Sequence, residues 1–291
     1  MNRWNNKNYL LVFMLIIFAL EAILFSVGNN ELNNISKNEE EKKIEMQKIF
    51  SNVSVLAKAV SIYDIDSNEE LYGKNQNEIL PLASLVKTMT VLVALEGYKT
   101  TPTITIKPNA INQFGDYGLL SYERWNIKDL AKFTLVGSVN DGAYALVGDD
   151  KNFLGKMNLK AKKIGMKNFS CFNFTGLDFD EKRAGAYASA KDANLMAAYA
   201  LKAYPDVFSA TALPEISLKS EIGLVHTIKN TNIILDKIPN LLFSKTGFTT
   251  YVGGNLTIIF KNKDSHRIAI TVLGSTQDGR FSDMENLINV L

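Results

Sequence analysis

The chain has little of what several protein classes require. Its 291 residues include one cysteine and two histidines. The lone Cys171 cannot form an internal disulfide bond, and we expect a small buried side chain there rather than a reactive thiol. His226 and His266 are not clustered with each other or with acids, so they lack the spacing of a metal site and structural roles are expected for both. No metal and no other cofactor is predicted.

The chain also lacks a large excess of either charge. It has 32 lysines and arginines and 30 aspartates and glutamates, which gives a formal net charge of +2 at pH 7. A balanced chain offers no broad basic surface to a polyanion, so nucleic acid is not predicted as a partner. Hydrophobic residues make up 46% of the chain, enough for one enzyme-sized core once a terminal extension is set aside.

The one long hydrophobic run lies near the N-terminus. Arg3 and Lys7 precede an apolar stretch from Tyr9 to Leu20, and after one acid the apolar character continues to residue 27. This run is either a signal peptide, with a cleavage site near residues 26–28, or an anchor that just spans a bilayer, and we favour the anchor. The positive residues before it predict a cytoplasmic N-terminus, with the rest of the chain outside.

We therefore divide the chain into three parts. Residues 1–28 are the membrane anchor or signal peptide, and they make the cytoplasmic membrane a predicted partner. Residues 29–48 are polar and densely charged, which predicts a solvated tether. Residues 49–291 are predicted to form the functional domain.

The sequence around Ser84 suggests a nucleophile. Pro81 ends a loop, and the apolar run from Met89 to Leu95 predicts a buried helix that begins near Ser84. Residues three apart share a helix face, so Ser84 and Lys87 would project together. A lysine half-buried among apolar groups loses its charge more easily than one in water, and a neutral Lys87 could take the hydroxyl proton. The alternative is a helix N-cap followed by an outward lysine.

Two further short motifs follow in order. Ser138-Val139-Asn140 lies on a predicted tight connection between helices, where its polar side chains either point into a cleft or cap the next helix. Lys245-Thr246-Gly247 lies in a strand-like run. The same order of serine-x-x-lysine, serine-x-asparagine and lysine-threonine-glycine occurs in penicillin-binding proteins and class A β-lactamases.

The sequence around each motif resembles the low-molecular-mass penicillin-binding proteins that are serine-type D-alanyl-D-alanine carboxypeptidases, a peptidase S11-like family. The resemblance runs from about residue 50 to the C-terminus. The matching segments are Pro81 to Thr90, Leu95-Glu96, Asn140 to Ala143, Gly165 to Asn168, Gly176-Leu177, Ser189 to Asp192, Lys245 to Thr249 and Arg280-Phe281. Such an ordered series is far more specific than any single motif.

The resemblance implies an α+β class with the β-lactamase/transpeptidase-like fold, in which an antiparallel sheet flanked by helices faces a helical subdomain across the active site. The residue patterns agree with that class. They predict a hairpin over 59–74, helices over 127–136, 141–147, 152–164 and 190–204, strands over 224–234, 241–245, 251–261 and 266–273, and a closing helix over 282–291.

The resemblance also implies roles for the motif residues. Ser84 would attack the carbonyl between the two terminal D-alanines of a peptidoglycan stem peptide, and Lys87 would take its proton. Ser138 and Lys245 would pass a proton to the departing amine. Asn140 would hold the substrate amide. Lys245 is also expected to depress the pKa of Lys87, since two ammonium groups in one cleft disfavour both being charged.

The residues that follow Lys245 would bind the substrate. Thr246 would join Lys245 in holding the free carboxylate, and Gly247 would leave the strand edge bare. Phe248 would supply one oxyanion N–H beside that of Ser84. Thr249 completes the substrate-binding set. β-Lactam antibiotics are the implied acylating inhibitors, and the extracytoplasmic face of the bacterial cell membrane is the implied location.

Three alternatives stay open. A D,D-endopeptidase would use the same residues. A class A β-lactamase would need a glutamate-x-x-leucine-asparagine stretch between the second and third motifs, and the sequence contains none. A non-catalytic wall-binding or penicillin-sensing module would not need to keep a nucleophile with its base. Val139 and Phe174 also depart from the residues usual in these carboxypeptidases, glycine and proline respectively, so the cleft rim and substrate preference are expected to differ.

Overall fold

The computed structural model describes residues 13–14, 18, 25, 37, 41, 44–97, 102–115 and 117–291. The chain divides into two compact units, residues 1–49 and residues 50–291. In the first unit residues 44–49 are helical, while most of the predicted membrane segment and most of the predicted tether lie outside the described residues. Within the described ranges, no helix combines the length and the apolar character needed to cross a bilayer.

The second unit contains twelve strands and seven α-helices among its described residues. The strands are β1 (Ala59–Asp64), β2 (Glu69–Lys74), β3 (Leu80–Pro81), β4 (Thr103–Thr105), β5 (Arg124–Asn126), β6 (Ser170–Cys171), β7 (Ala186–Ala188), β8 (Glu215–Lys219), β9 (Val225–Lys229), β10 (Leu241–Thr249), β11 (Gly253–Lys261) and β12 (Arg267–Ser275). The helices are α1 (Lys87–Gly97), α2 (Ile127–Val136), α3 (Asn140–Val147), α4 (Phe153–Lys163), α5 (Ala190–Ala203), α6 (Pro205–Phe208) and α7 (Gly279–Ile288).

A five-stranded antiparallel sheet in the order β10-β11-β12-β1-β2 forms the frame. Its inner strands are buried along almost their whole length, because α5 packs against β1 and β12 while α7 packs against β11 and β12. A strand covered on both faces needs apolar residues at successive positions, which explains runs such as Ile258 to Phe260. The predicted α+β class is confirmed.

Helix α1 is the centre of the helical part. Every residue from Lys87 to Leu95 is buried, and α2, α3, α4 and α5 all pack against this helix. A helix that is apolar on all sides is stable only when it is enclosed, so the composition of residues 88–95 predicts this position. The one ionisable side chain in that buried stretch, Lys87, is therefore enclosed as well.

The structure corrects the predicted start of this helix. The chain forms a 3₁₀ turn over Ala83–Val86, and α-helical geometry begins only at Lys87. Ala83 has a φ of 47°, which lies outside the right-handed helical region, so a regular α-helix cannot extend back through this residue. Ser84 thus lies in a tight turn rather than at the first position of an α-helix.

The predicted strand over 224–234 is also too long. β9 ends at Lys229 and pairs with β8, a strand that the sequence patterns did not indicate. Beyond it, the Asn230 side chain accepts a hydrogen bond from the backbone of Asn232, whose own side chain accepts one from the backbone of Ile234. Such side-chain turns compete with strand pairing and end it.

Candidate active site

Ser84 and Lys87 lie together, as the motif predicts. The Nζ of Lys87 donates to the Oγ of Ser84 at 2.7 Å. The same nitrogen donates to the backbone carbonyl of Thr175, also at 2.7 Å. Lys87 is 0% exposed, so these two oxygens replace the water that its amine has lost.

The environment of Lys87 favours its neutral form. Burial, and to a lesser extent the positive charge of Lys245, holds the pKa of Lys87 well below the ordinary lysine value of 10.5. A neutral amine carries a lone pair that can accept the proton of a hydroxyl at 2.7 Å. The geometry therefore provides a serine with an adjacent base.

A loop over residues 172–187, which we call the 172–187 loop, fixes the position of the Thr175 carbonyl. The side chain of Asn173 accepts a hydrogen bond from the backbone of Gly176 at 2.7 Å. Gly176 has a φ of 81°, and a Cβ there would lie 2.0 Å from the carbonyl oxygen of Ala83. Only glycine permits this approach, so the loop can press directly against the serine turn.

The second serine and lysine also meet. Lys245 Nζ donates to the Oγ of Ser138 at 2.8 Å and to the carbonyl of Thr246 at 2.9 Å. Ser138 lies in the short connection between α2 and α3 with a φ of 56°, a strained backbone conformation of the kind found at functional sites. Burial, with a smaller contribution from the charge of Arg280, lowers the pKa of Lys245 to about 7.

Gly247 lets the edge of β10 approach the serine turn. A Cβ at this position would lie 2.8 Å from the carbonyl oxygen of Leu82 and 3.2 Å from the backbone nitrogen of Ser84. On the other side, Arg280 Nη1 donates to the carbonyl of Gly247 at 2.7 Å. The Lys245-Thr246-Gly247 segment is thus held between the serine turn and α7.

The remaining predicted binding residues make contacts within the protein. Thr246 Oγ1 lies 2.6 Å from the hydroxyl of Thr231, and Thr249 Oγ1 accepts from the backbone of Val252. Phe248 is 39% exposed at the strand edge. These positions line the edge on which a substrate would lie, and their binding roles stay predictions.

Asn140 is less available than the motif suggests. It begins α3 and is buried, and its Nδ2 already donates to the backbone carbonyl of Phe114 at 2.7 Å. Its Oδ1 is buried with no hydrogen-bond partner among the described residues. The free group is therefore an acceptor, which suits a substrate N–H.

Sequence reasoning missed two contributors. The Thr175 contact is made by a backbone carbonyl, so the residue type does not predict it. Gly176 next to it indicates only that two backbone segments approach closely. Arg280 belongs to a segment that resembles the family, but its contact with Gly247 joins residues 33 positions apart. Gly176 is the one local signal of the first contact, and the second contact leaves none.

The two histidines and the cysteine make contacts that are structural. His226 Nε2 is 2.6 Å from Glu123 Oε1, and His266 Nδ1 is 2.6 Å from Asp64 Oδ2. Burial raises the pKa of the Cys171 thiol to about 12, which makes it a poor nucleophile at neutral pH. No cluster of three or more metal-ligating side chains occurs in the part of the chain that the structure describes.

The antiparallel sheet, the buried helix behind the serine turn and the two serine–lysine contacts are the arrangement that the resemblance to penicillin-recognising serine proteins implies. The family model for D-alanyl-D-alanine carboxypeptidase, peptidase family S11, matches residues 45–277. The chain belongs to this family.

Individual relatives agree with that assignment. The D-alanyl-D-alanine carboxypeptidase DacF of Bacillus subtilis is 30% identical over 243 residues, covering 80% of this chain and 61% of the relative. A D-alanyl-D-alanine endopeptidase of Escherichia coli is 27% identical over 250 residues, covering 81% of this chain and 77% of the relative. The chain thus spans about three fifths of the length of the B. subtilis protein.

A solved structure shares the fold. A penicillin-binding protein from Listeria monocytogenes, determined with bound ampicillin, superimposes with a TM-score of 0.68 and 28% identity. The match covers 82% of this chain and 98% of the Listeria chain. The predicted β-lactamase/transpeptidase-like fold is confirmed.

The lowered pKa of Lys87 predicts a pH dependence. Lys87 must be neutral to accept a proton, so the rate of acylation by a fluorescent penicillin should rise with pH through an ionisation below 10.5. Because the charge of Lys245 helps lower this pKa, Lys245→Gln should move the rise to higher pH while slowing the reaction. Stopped-flow or gel-based rates across the neutral and alkaline range measure both effects, with the exposed Lys263→Gln as control. A rise in the ordinary lysine range would contradict a neutral Lys87.

The close approach at Gly247 predicts a large effect of one methyl group. Gly247→Ala would place its Cβ 2.8 Å from the Leu82 carbonyl, so β10 must move away from the serine turn. Since a misplacement of about 1 Å can cost about 100-fold in rate, acylation should slow by roughly that factor. Circular dichroism and the penicillin acylation rate are measured together, with Gly97→Ala, which meets open space, as the matched control. An unchanged acylation rate in folded Gly247→Ala would show that this approach is not needed.

Proposed function

We propose that this protein is a serine-type D-alanyl-D-alanine carboxypeptidase that removes the terminal D-alanine from peptidoglycan stem peptides. The observation that carries the proposal is the 2.7 Å contact between Ser84 Oγ and the fully buried amine of Lys87, whose pKa is held low. The name of the B. subtilis relative supports the same substrate.

In the first step Ser84 Oγ attacks the carbonyl carbon between the two D-alanines as its proton passes to Lys87 Nζ. The carbonyl oxygen becomes an oxyanion between the backbone N–H groups of Ser84 and Phe248. In such a site one donor can be worth about 2.7–4 kcal/mol of barrier. Because Gly247 has no side chain, these two backbone segments can lie close together.

In the second step the carbon–nitrogen bond breaks and the leaving amine takes a proton. Ser138 Oγ, hydrogen-bonded to Lys245 Nζ at 2.8 Å, is the donor, and Lys245 restores the serine proton. A lysine with a pKa of about 7 can both give and accept a proton near neutral pH. The products of this step are free D-alanine and an acyl ester on Ser84.

Before the bond breaks, the carboxylate of the last D-alanine needs a cationic site. Lys245 and the hydroxyl of Thr246 provide the charge and a donor, and the carboxylate in turn raises the pKa of Lys245 towards its charged form. Arg280, held at the Gly247 carbonyl, adds positive potential to the same edge. Asn140 Oδ1 receives the substrate N–H on the acyl side.

In the last step water attacks the ester carbonyl and the bond to Ser84 Oγ breaks. The water proton passes to Lys245, which the second step left neutral, and Ser84 recovers its own proton from Lys87 as it leaves. The shortened peptide then departs with a new C-terminal carboxylate, so the cycle consumes one water and needs no cofactor.

β-Lactams would react with Ser84 by the same acylation chemistry. Their strained amide presents a carbonyl to Ser84 and a carboxylate to Thr246, as the peptide does. The Listeria structure with ampicillin supports this interpretation for the fold. We therefore propose that β-lactams acylate Ser84 and act as inhibitors.

We propose a location for the chemistry from the sequence of the N-terminal segment. Its positive residues and its apolar run favour an anchor in the cytoplasmic membrane, with the catalytic part at the extracytoplasmic face. Peptidoglycan lies on that side, so substrate and enzyme would share a compartment.

One specific observation favours a second candidate function. Relatives named D-alanyl-D-alanine endopeptidase match this chain over a similar share of its length. A cross-linked peptide presents the same carbonyl with a larger leaving amine, so the Ser84 chemistry would be identical and only access to the cleft would differ.

The proposal predicts which peptide bond is cut. Monomeric stem pentapeptide should lose one D-alanine, a cross-linked dimer should react more slowly, and Ser84→Ala should abolish both reactions because it removes the nucleophile. Chromatography with mass detection measures the products, and the exposed Ser217→Ala serves as control. Faster cleavage of the dimer would replace the carboxypeptidase assignment with the endopeptidase one. Release that persists in Ser84→Ala would overturn both.

A further inference from the structure

The hydroxyl of Thr231, a residue outside all three motifs, meets the hydroxyl of Thr246. The two Oγ1 atoms lie 2.6 Å apart, and either of them can be the donor. Thr246 is only 4% exposed, so its hydroxyl depends on partners within the protein. Under the proposed function this hydroxyl is also a donor to the carboxylate of the last D-alanine. Thr231 is therefore one hydrogen bond away from the substrate.

Thr231 contacts both sides of the proposed active site. Its backbone N–H donates to the carbonyl of Val136 at 3.3 Å, and Val136 ends α2 two residues before Ser138. Its side chain reaches β10 at Thr246, the residue after Lys245. The Thr246 hydroxyl thus faces a segment that is bonded to the Ser138 side of the cleft.

The residues on either side of Thr231 hold it in place. Asn230 Nδ2 donates to the carbonyl of Thr211 at 2.8 Å, and the side-chain oxygen of Asn230 accepts from the backbone of Asn232 at 2.9 Å. Asn232 Nδ2 in turn donates to Ser244 Oγ on β10 at 2.8 Å. Because both neighbours are bonded to fixed segments, the Thr231 hydroxyl keeps a constant position against Thr246.

The position of the protons in this pair decides what Thr246 can do. Two hydroxyls carry two protons, and only one of these protons lies between the two oxygens. If Thr246 donates to Thr231, its proton is turned away from the carboxylate site. If Thr231 donates to Thr246, the Thr246 proton is free to point at a carboxylate. A carboxylate only accepts hydrogen bonds, so it selects the second arrangement, in which each donor strengthens the next.

We propose, as an inference that rests on the proposed function, that Thr231 is a positioning residue that donates to Thr246 and so holds the Thr246 proton towards the terminal carboxylate of the substrate. Thr231 acts through Thr246 and not on the reacting atoms. Without it, a nearly buried oxygen loses an accepted hydrogen bond and its proton is free to rotate, so recognition of the carboxylate is weakened.

A double-mutant cycle on the full chain in detergent tests the inference. The measured quantity is kcat/KM for release of D-alanine from an N-acetylated peptide that ends in D-Ala-D-Ala. Thr231→Val keeps the side-chain shape without the hydroxyl and should lose about tenfold, the scale of one hydrogen bond. In a Thr246→Val background the same change should cost less than about twofold, because the group that Thr231 positions is already gone. Thr231→Ser keeps a hydroxyl and should retain at least about half of the wild-type value.

The hairpin of β8 and β9 offers a matched control. Ser217 Oγ and Thr227 Oγ1 lie 2.7 Å apart on its exposed face, so Thr227→Val breaks a similar hydroxyl pair and should leave kcat/KM unchanged. Circular dichroism checks the folding of every variant, and Thr231→Ala carries the same prediction where Thr231→Val does not fold.

Benzylpenicillin acylation of the same samples separates the two levels of the proposal. Equal losses for Thr231→Val in the wild-type and Thr246→Val backgrounds would overturn the role of Thr231 and leave the proposed function standing. A Thr231→Ser variant as impaired as Thr231→Val, or a Thr231→Val variant within twofold of wild type, would do the same. Folded wild type that neither reacts with benzylpenicillin nor releases D-alanine would overturn the proposed function, and the role of Thr231 with it.

Discussion

The site depends on the burial of two lysine amines. Lys87 and Lys245 are nearly inaccessible to water, and each gives up hydration that an ammonium group strongly favours. The protein replaces that water with a few oxygens, the hydroxyls of Ser84 and Ser138 and the carbonyls of Thr175 and Thr246. These acceptors are too few to offset full desolvation, so the pKa values fall and the amines become usable as bases. The same burial that lowers stability creates the reactivity.

Close approach of three backbone segments makes this arrangement possible. The serine turn is pressed from one side by the 172–187 loop at Gly176 and from the other by β10 at Gly247, and a Cβ at either glycine would collide with the turn. The sheet supplies rigidity behind β10, and the all-apolar helix α1 supplies it behind the turn. The positions of the Ser84, Lys87, Ser138 and Lys245 side chains depend on these contacts. Small changes in backbone packing are therefore expected to change the reaction rate more than the stability of the fold.

The sequence predicted the parts of this site that follow from local rules. The buried helix, the β10 to β12 strands and the serine–lysine spacing all come from apolar periodicity or from residues three apart, so α1 and the Ser84–Lys87 contact were expected. The pairing of Ser138 with Lys245 came only from family resemblance, since 107 residues separate them. The 3₁₀ turn, the strand β8, the Thr175 carbonyl and the bond from Asn140 to Phe114 were not predictable, because each depends on tertiary contacts that override or bypass local propensity.

The central claim is that Ser84 is the residue that becomes acylated. The most direct measurement is intact mass spectrometry of wild type and Ser84→Ala after exposure to benzylpenicillin, followed by peptide mapping of any adduct. The account predicts a single covalent adduct on wild type, located on Ser84, and none on the variant. An adduct on another residue, or one that persists in Ser84→Ala, would contradict it.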